Sequence, residues 1–520
     1  MRILLSALTL VAFCIAMAPL RAEDNADIEA VRQTTNKLIE LLIQSGILSK
    51  EKAQALLDDA QRTARESQAA KKGKDPVVRV PYVPKVVREQ IKEEIKQEVA
   101  ATAREEKWGR PDAYPQWLER FRFYGDIRLR YQLNRYDANN ATNFYLNAQE
   151  TNVGRGAVFL NTTKNDDLWR YRFRLGLDAK LADWSMVGLR LATGSGSNPV
   201  SDNQTLGTTF NRSTFAVDRA FLKLDPVSWL SIQGGRIPNA FFSSNLVWDE
   251  DLNFEGAALS VTPKFAGNMQ AFVTAGAFPL EKIDCTNATQ TANCGKDKWL
   301  YGLQAGAAKT FGGGARLKAA VAYYDYKNIA GSLNDAVVNA NDTTSIPKYL
   351  QKGNTLFNVV TQGAQPPLLG LAADYRLLNF TGQLDLANFA PYQVTLLGDY
   401  VKNLGYDRQK ILARTAGQVN QEGRTKGYQV RLTAGHPKVD AKGNWQAFGA
   451  YKYLQRDAVF DGFTDSDFHL GGTDAKGWIL GASYGIGERM FVRARWFSAN
   501  EIDGPPLSID VFQLDLSAEF

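Results

Sequence analysis

From Val511 to Phe520 apolar and polar residues alternate without a slip. Phe512, Leu514, Leu516, Ala518 and Phe520 fall on one side, and Val511, Gln513, Asp515, Ser517 and Glu519 on the other. A period of two puts each set on its own face of a strand. Similar segments, bounded by Gly, Pro, Asn and Asp, run back to residue 121. The pattern predicts strands at 121–134, 169–181, 184–194, 213–224, 228–236, 253–263, 266–279 and 297–310, then at 313–327, 373–387, 391–403, 425–436, 442–456, 475–486, 488–499 and 508–520. That is about sixteen, an even number.

Every second connection is short, such as Ala182-Asp183, Asp225-Pro226-Val227 and Gly487, while those between are longer, with Arg135 to Leu168 and Asn328 to Ala372 the extremes. Short turns on one rim and long loops on the other are the habit of a transmembrane β-barrel of antiparallel strands. In the first strand Phe121, Phe123, Ile127, Leu129, Tyr131 and Leu133 oppose Arg122, Tyr124, Asp126, Arg128, Arg130 and Gln132. In the second, Tyr171, Phe173, Leu175 and Leu177 oppose Arg170, Arg172, Arg174 and Asp178. Arginine is costly toward lipid, so these rows belong on a wet inner face, together with Arg190, Arg431, Arg493 and Arg495. The strand carrying Arg219 and Lys223 is ambiguous, because Phe221 shares their parity.

The N-terminal part has another texture. Arg2, the apolar run Ile3–Leu20 and the small Ala22 before Glu23 predict a secretory signal peptide over 1–22. Over 23–75, Ile28, Val31, Thr35, Leu38 and Leu42 recur at spacings of three and four, predicting a helical, coiled-coil-like segment. Residues 76–115 hold a linker with Pro76, Pro81 and Pro84 and then a charged helix with Val87, Ile91, Ile95 and Val99. The barrel is expected over 116–520, and the helices read as an extension on its periplasmic side. Three roles stay open for that extension: a solvated linker, self-association, or contact with the cell wall through residues 23–110.

Composition narrows the chemistry. The net charge of +6 includes Arg2 and Arg21 of the signal segment, too mild a balance for a nucleic-acid partner. Cys285 and Cys294 remain after signal removal, in a polar loop of an exported chain where a disulfide is the expected state. Only His436 and His469 could serve as imidazole bases, and neither shares a strand with a serine at matching depth, so no enzyme is expected. Asp461, Asp465, Asp467 and Asp474 lack calcium-loop spacing and read as a solvated loop; no metal or cofactor is expected.

Several stretches resemble a known family. V-R-V-P-Y-V-P-K-V-V-R-E-Q-I-K-E-E-I-K-Q-E-V, W-L-E-R-F-R-F-Y-G-D-I-R-L-R-Y, D-R-A-F-L-K-L, G-G-R-I-P-N-A-F-F-S-S-N-L-V-W-D-E-D-L-N-F-E-G and the terminal Phe520 are similar to the "putative porin" family of Gram-negative outer membranes. The likeness runs from roughly Val77 to Phe520. It implies an outer-membrane channel for passive diffusion of small hydrophilic solutes or ions, with membrane lipid and lipopolysaccharide around it, a possible homotrimer, and Phe520 as an assembly signal. It also implies that the third long loop, Ile237 to Leu252, folds inward as a constriction. That loop carries Phe241, Phe242, Trp248, Asp249, Glu250 and Asp251, whose acids would then face the arginine rows; a solvated tip or a weak Ca²⁺ site are the other readings. The arginines either select anionic or zwitterionic solutes or merely keep the lumen wet. An envelope tether acting through the N-terminal helices is the alternative function.

Overall fold

The computed structural model describes residues 118–154, 156–284, 294–335, 342–360 and 367–520. The chain forms two compact units, Met1–Arg110 and Pro111–Phe520. All of the first lies outside the described residues, and with it the expected signal peptide and both helical stretches; Cys285 of the expected disulfide lies outside them too.

Sixteen long strands make up the second unit: β1 (Phe121–Tyr136), β2 (Asp166–Ala182), β3 (Ser185–Ala192), β4 (Ala216–Val227), β5 (Leu230–Pro238), β6 (Asn253–Val261), β7 (Met269–Glu281), β8 (Lys298–Thr310), β9 (Arg316–Lys327), β10 (Arg376–Phe389), β11 (Tyr392–Asn403), β12 (Lys426–Gly435), β13 (Trp445–Leu454), β14 (Ala475–Gly487), β15 (Met490–Glu501) and β16 (Ser508–Glu519). Each pairs antiparallel with the next, and β16 returns to β1 in a register running from Asp126–Glu519 to Tyr136–Ile509. The ring is closed, so no long edge is left unpaired. Every predicted strand is present, with ends shifted by at most three residues. Connections alternate as the sequence implied, from the two-residue turn at Asp183-Trp184 to the loop over 328–375.

Exposure along β1 is the reverse of a water-soluble sheet. Ile127 and Leu129 are 41% and 49% exposed, whereas Arg128 and Arg130 are 5% and 1% exposed. Apolar side chains therefore face outward, where the solvent must be hydrocarbon, and guanidinium groups face the lumen. Outward aromatics gather at two levels. Trp184, Trp229, Phe265 and Phe311 sit at the short turns, and Trp169, Phe215, Tyr428 and Trp478 toward the long loops. Such girdles mark the two membrane interfaces.

The doubtful strand β4 is resolved by a bulge. Register slips between Arg190–Arg219 and Leu191–Val217, so Asp218 has no partner across the ladder. Both Asp218 and Arg219 then reach inner-face groups, Arg190 and Asn253 respectively. Phe221 also points inward, over Gly188, where a Cβ would come within 2.4 Å of its ring.

The main apolar core lies where the long loops pack on the inner face of the strands. Trp248, Phe357, Val359, Leu371, Tyr375 and Phe460, drawn from three loops, join Phe254, Phe278 and Tyr324 of the strands in one buried cluster. Loops tied down this way can hold a fixed shape inside the ring.

Candidate functional site

The connection between β5 and β6, residues 239–252, is fastened to both sides of the ring. Ser244 donates to Asp399 on β11 at 2.5 Å, and Lys452 on β13 donates to the Asn245 carbonyl at 2.9 Å. Gln304 on β8 exchanges two 2.8 Å hydrogen bonds with the Phe242 backbone. Across from these, Asp251 meets both Arg172 and Arg174 of β2 at 3.3 Å. A segment bonded to β2 at one end and to β11 and β13 in its middle must cross the lumen.

The six loop residues singled out by sequence divide by role. Phe241 packs edge-on against Phe254, Phe278 and Tyr324, and fits over Gly302, where a Cβ would lie 2.5 Å from its ring. Trp248 is buried against Phe254 and Tyr324. These two rings therefore hold the loop to the wall. Phe242 stacks under the Lys318 ammonium at 3.9 Å. Asp249 is buried and accepts from the Ser466 and Asp251 backbone amides at 2.8 and 2.7 Å. Burial, with Asp251 and Asp465 close by, pushes its carboxyl well above the usual range. Burial acts on Asp251 the same way, but Arg172, Arg174 and Arg128 outweigh it and hold that carboxyl low. Glu250 alone of the three acids is exposed.

A second loop, 455–474, joins the first inside the ring, which corrects the expectation of a solvated aspartate cluster. Asp461, Asp465 and Asp474 are buried. Asp467 reaches Arg130 at 3.2 Å and Arg495 at 3.1 Å. Burial opposes its ionisation, yet Arg130, Arg495 and Arg128 together hold it far below the usual carboxylate range. Asp465 sits 3.6 Å from Lys452, and the Asp249 amide donates to the Phe463 carbonyl at 2.9 Å, tying the two loops together. The sequence held a usable signal: Phe460, Phe463, Phe468 and Leu470 are interleaved with the acids, and so many large apolar groups belong in a packed segment.

The ten arginines all lie on the inner side. Arg122 lines a 930 Å³ vestibule at the short-turn rim. Arg172 and Arg174 share Asp126, at 2.9 and 2.6 Å. Arg190 pairs with Asp218, Arg170 with the Gln132 amide oxygen at 3.3 Å, and Arg130 with Asp515 at 2.7 Å. Arg495 also approaches Asp515, at 3.6 Å. Among the described residues, Arg122, Arg128, Arg170, Arg431 and Arg493 make no ion pair. Arg128 donates to Asn203 at 2.7 Å, Arg431 lies over Phe448 at 3.7 Å, and Arg493 donates to Ser483 at 2.9 Å. Sequence reasoning passed over Lys452, Asp399 and Gln304, the strand groups that receive the loop.

Beyond the vestibule, a 330 Å³ cavity is bordered by Arg128, Arg190, Arg219 and Arg493 together with Glu250 and Asp251. Where the two loops meet, a smaller cavity of about 40 Å³ is lined by Glu250 and Asp467 together with Arg128, Arg431 and Arg495. Of the two histidines, His436 ties a turn through the Trp445 backbone at 3.1 Å, and His469 is buried at 3.2 Å from the Leu507 carbonyl. No cluster of His, Cys, Asp or Glu among the described residues could hold a metal ion.

A closed, even-stranded ring with an apolar exterior, a charged interior and short turns on one rim only is the architecture of an outer-membrane channel. The chain belongs to the "Putative porin" family, whose model matches residues 32–520. That match starts ahead of the stretch from Val77 and takes in most of residues 23–75. Comparison with curated proteins gives no match. Among solved structures, the chain is similar to Pseudomonas putida OprB at high pH, with 13% identity over 78% of this chain and 96% of that one and a TM-score of 0.44. It is also similar to the outer membrane channel DcaP of Acinetobacter baumannii, with 12% identity, 77% and 97% coverage and a TM-score of 0.38. Salmonella typhi OmpF, in complex with daunomycin, gives 11% identity, 77% and 97% coverage and a TM-score of 0.38.

Proposed function

We propose that the protein is a passive diffusion channel for small hydrophilic solutes and ions, narrowed by the 239–252 loop and favouring anionic or zwitterionic solutes. The observation that carries this reading is the imbalance at the narrowing. Arg128 and Arg431 lack carboxylate partners there, while most acids of the two loops are buried or consumed in ion pairs. Glu250 is the exposed acid in the same lining. Fixed charges in a narrow passage with low-dielectric walls set which ions enter and how a dipolar solute turns. The ion-paired arginines of β2 shape the wall, and the unpaired ones supply the field.

The test is the reversal potential of the protein in planar bilayers under a salt gradient. Anion preference that weakens when Arg128 and Arg431 are replaced by glutamine supports the proposal. Cation preference, or no stepwise conductance, overturns it.

A further inference from the structure

One ladder of the closed ring stops short of the long-loop rim. The β6–β7 ladder runs from Val261–Val273 to Ala257–Ala277 and ends there. Beyond it, Asn253–Gly256 pair only with β5, and Phe278–Glu281 only with β8. Two local features cause the divergence. Gly235 and Gly256 face each other across β5 and β6 with φ of +116° and +137°, a conformation that side chains rarely allow, so both strands turn together. On the other bank, Pro279 has no N–H to offer a neighbouring strand. The backbones still touch where the ladder stops: a Cβ on Gly256 would lie 2.3 Å from the Ala277 carbonyl oxygen.

A cavity of about 380 Å³ lies beside these strand ends. Its lining includes Phe254, Phe278, Leu280 and Leu300 from the strand ends and Pro199, Lys348, Tyr349 and Phe463 from the long loops. It also includes Arg236, Glu255 and Pro279, which share the outward parity of exposed Ile232, Ala257 and Val273. Strand-end residues of both parities and loop residues thus line it together, which places it at the long-loop rim where the ladder has ended. Arg236 and Glu255 form an ion pair at its mouth. Trp299, the register partner of Pro279, stacks on Tyr301 at 5.9 Å, which puts the mouth at the aromatic girdle on the long-loop side.

We propose that this cavity binds the hydrocarbon chain of an amphiphile with a carboxylate or phosphate head. The chain enters from the outer leaflet and lies on Phe254, Phe278 and Leu300, with its head at Arg236. The volume falls within the roughly 300–1,000 Å³ of small-molecule sites. An apolar interior with a charged pair at a membrane interface matches that ligand and not a hydrophilic solute in transit.

Native mass spectrometry of the full chain in mild detergent, offered palmitate or phosphatidylethanolamine separately, tests it. The expected result is one retained molecule per chain, with affinity about tenfold or more weaker in Leu280→Trp, which fills the cavity. Leu280→Phe serves the same purpose if the larger ring prevents folding, as judged by strand circular dichroism. Retention of phosphatidylethanolamine assigns a membrane lipid, and retention of palmitate alone a free fatty acid; both support the site. No adduct, or adducts undiminished in a folded filled variant, would overturn it.

Discussion

Asp467, in the loop between β13 and β14, lies 3.2 Å from the guanidinium of Arg130 on β1, and Arg495 on β15 approaches the same carboxylate at 3.1 Å. One acidic side chain thus pins a long loop to two strands inside the ring. Arg130 is fully buried, so the pair cannot be exchanged for water. Asp467→Asn leaves that guanidinium charge with less compensation, and loss of a buried partner costs about 3 kcal/mol. The expected outcome is a lower thermal unfolding midpoint in detergent and more frequent current fluctuations in bilayers. An unchanged midpoint would show that the loop is held by its apolar contacts alone.

The same carboxylate sets a pH dependence. Its folded value is depressed below the ordinary 3.8 by Arg130, Arg495 and Arg128 against the opposing effect of burial. A depressed carboxylate contributes stability that is fully present above the unfolded value and is lost as pH falls toward the folded one. The stabilisation contributed by Asp467 should therefore be complete above about pH 4 and be lost below it. In Asp467→Asn the acid drop should be shallower, which parallel melts across that range would reveal.

Glu250 and Arg128 border the same cavities with opposite charge. Glu250→Gln should shift the reversal potential toward anions, and Arg128→Gln should shift it toward cations. Equal and opposite signs are the diagnostic feature. Shifts of the same sign would mean that the substitutions act through loop position and not through charge.

Phe520 closes the ring through its backbone, exchanging 3.1 and 3.0 Å hydrogen bonds with Gly125. Its ring lies over that glycine and stacks on Phe173 at 6.3 Å. If the terminal aromatic serves assembly, Phe520→Ala should reduce the amount of folded protein in the outer membrane while the variant refolded in detergent keeps wild-type conductance. Equal membrane levels would restrict the residue to its packing role.

Strand number, order and facing were legible because a period-two pattern and the cost of arginine in lipid both act locally. Neither needs knowledge of a distant residue. The bulge at Asp218 escaped notice because one inserted residue inverts parity midway, leaving Arg219 and Phe221 apparently in conflict. The inward course of 455–474 was missed for another reason: four aspartates in a loop look solvated until Arg130, Arg495 and Lys452 arrive from other strands. Long-range ion pairs leave no period in a sequence. The aromatic anchors Phe241 and Trp248 were picked out, but only packing against Phe254 and Tyr324 separates a loop's fastening from its exposed face.

The most direct measurement bears on whether the 239–252 loop stands in the conducting path. Glu250→Cys, reconstituted into planar bilayers and treated with a charged methanethiosulfonate reagent, reads this as a change in single-channel current. The account predicts a stepwise fall in conductance in that variant and none in the wild type given the same treatment. Full current through a channel shown to be modified at residue 250 would contradict it.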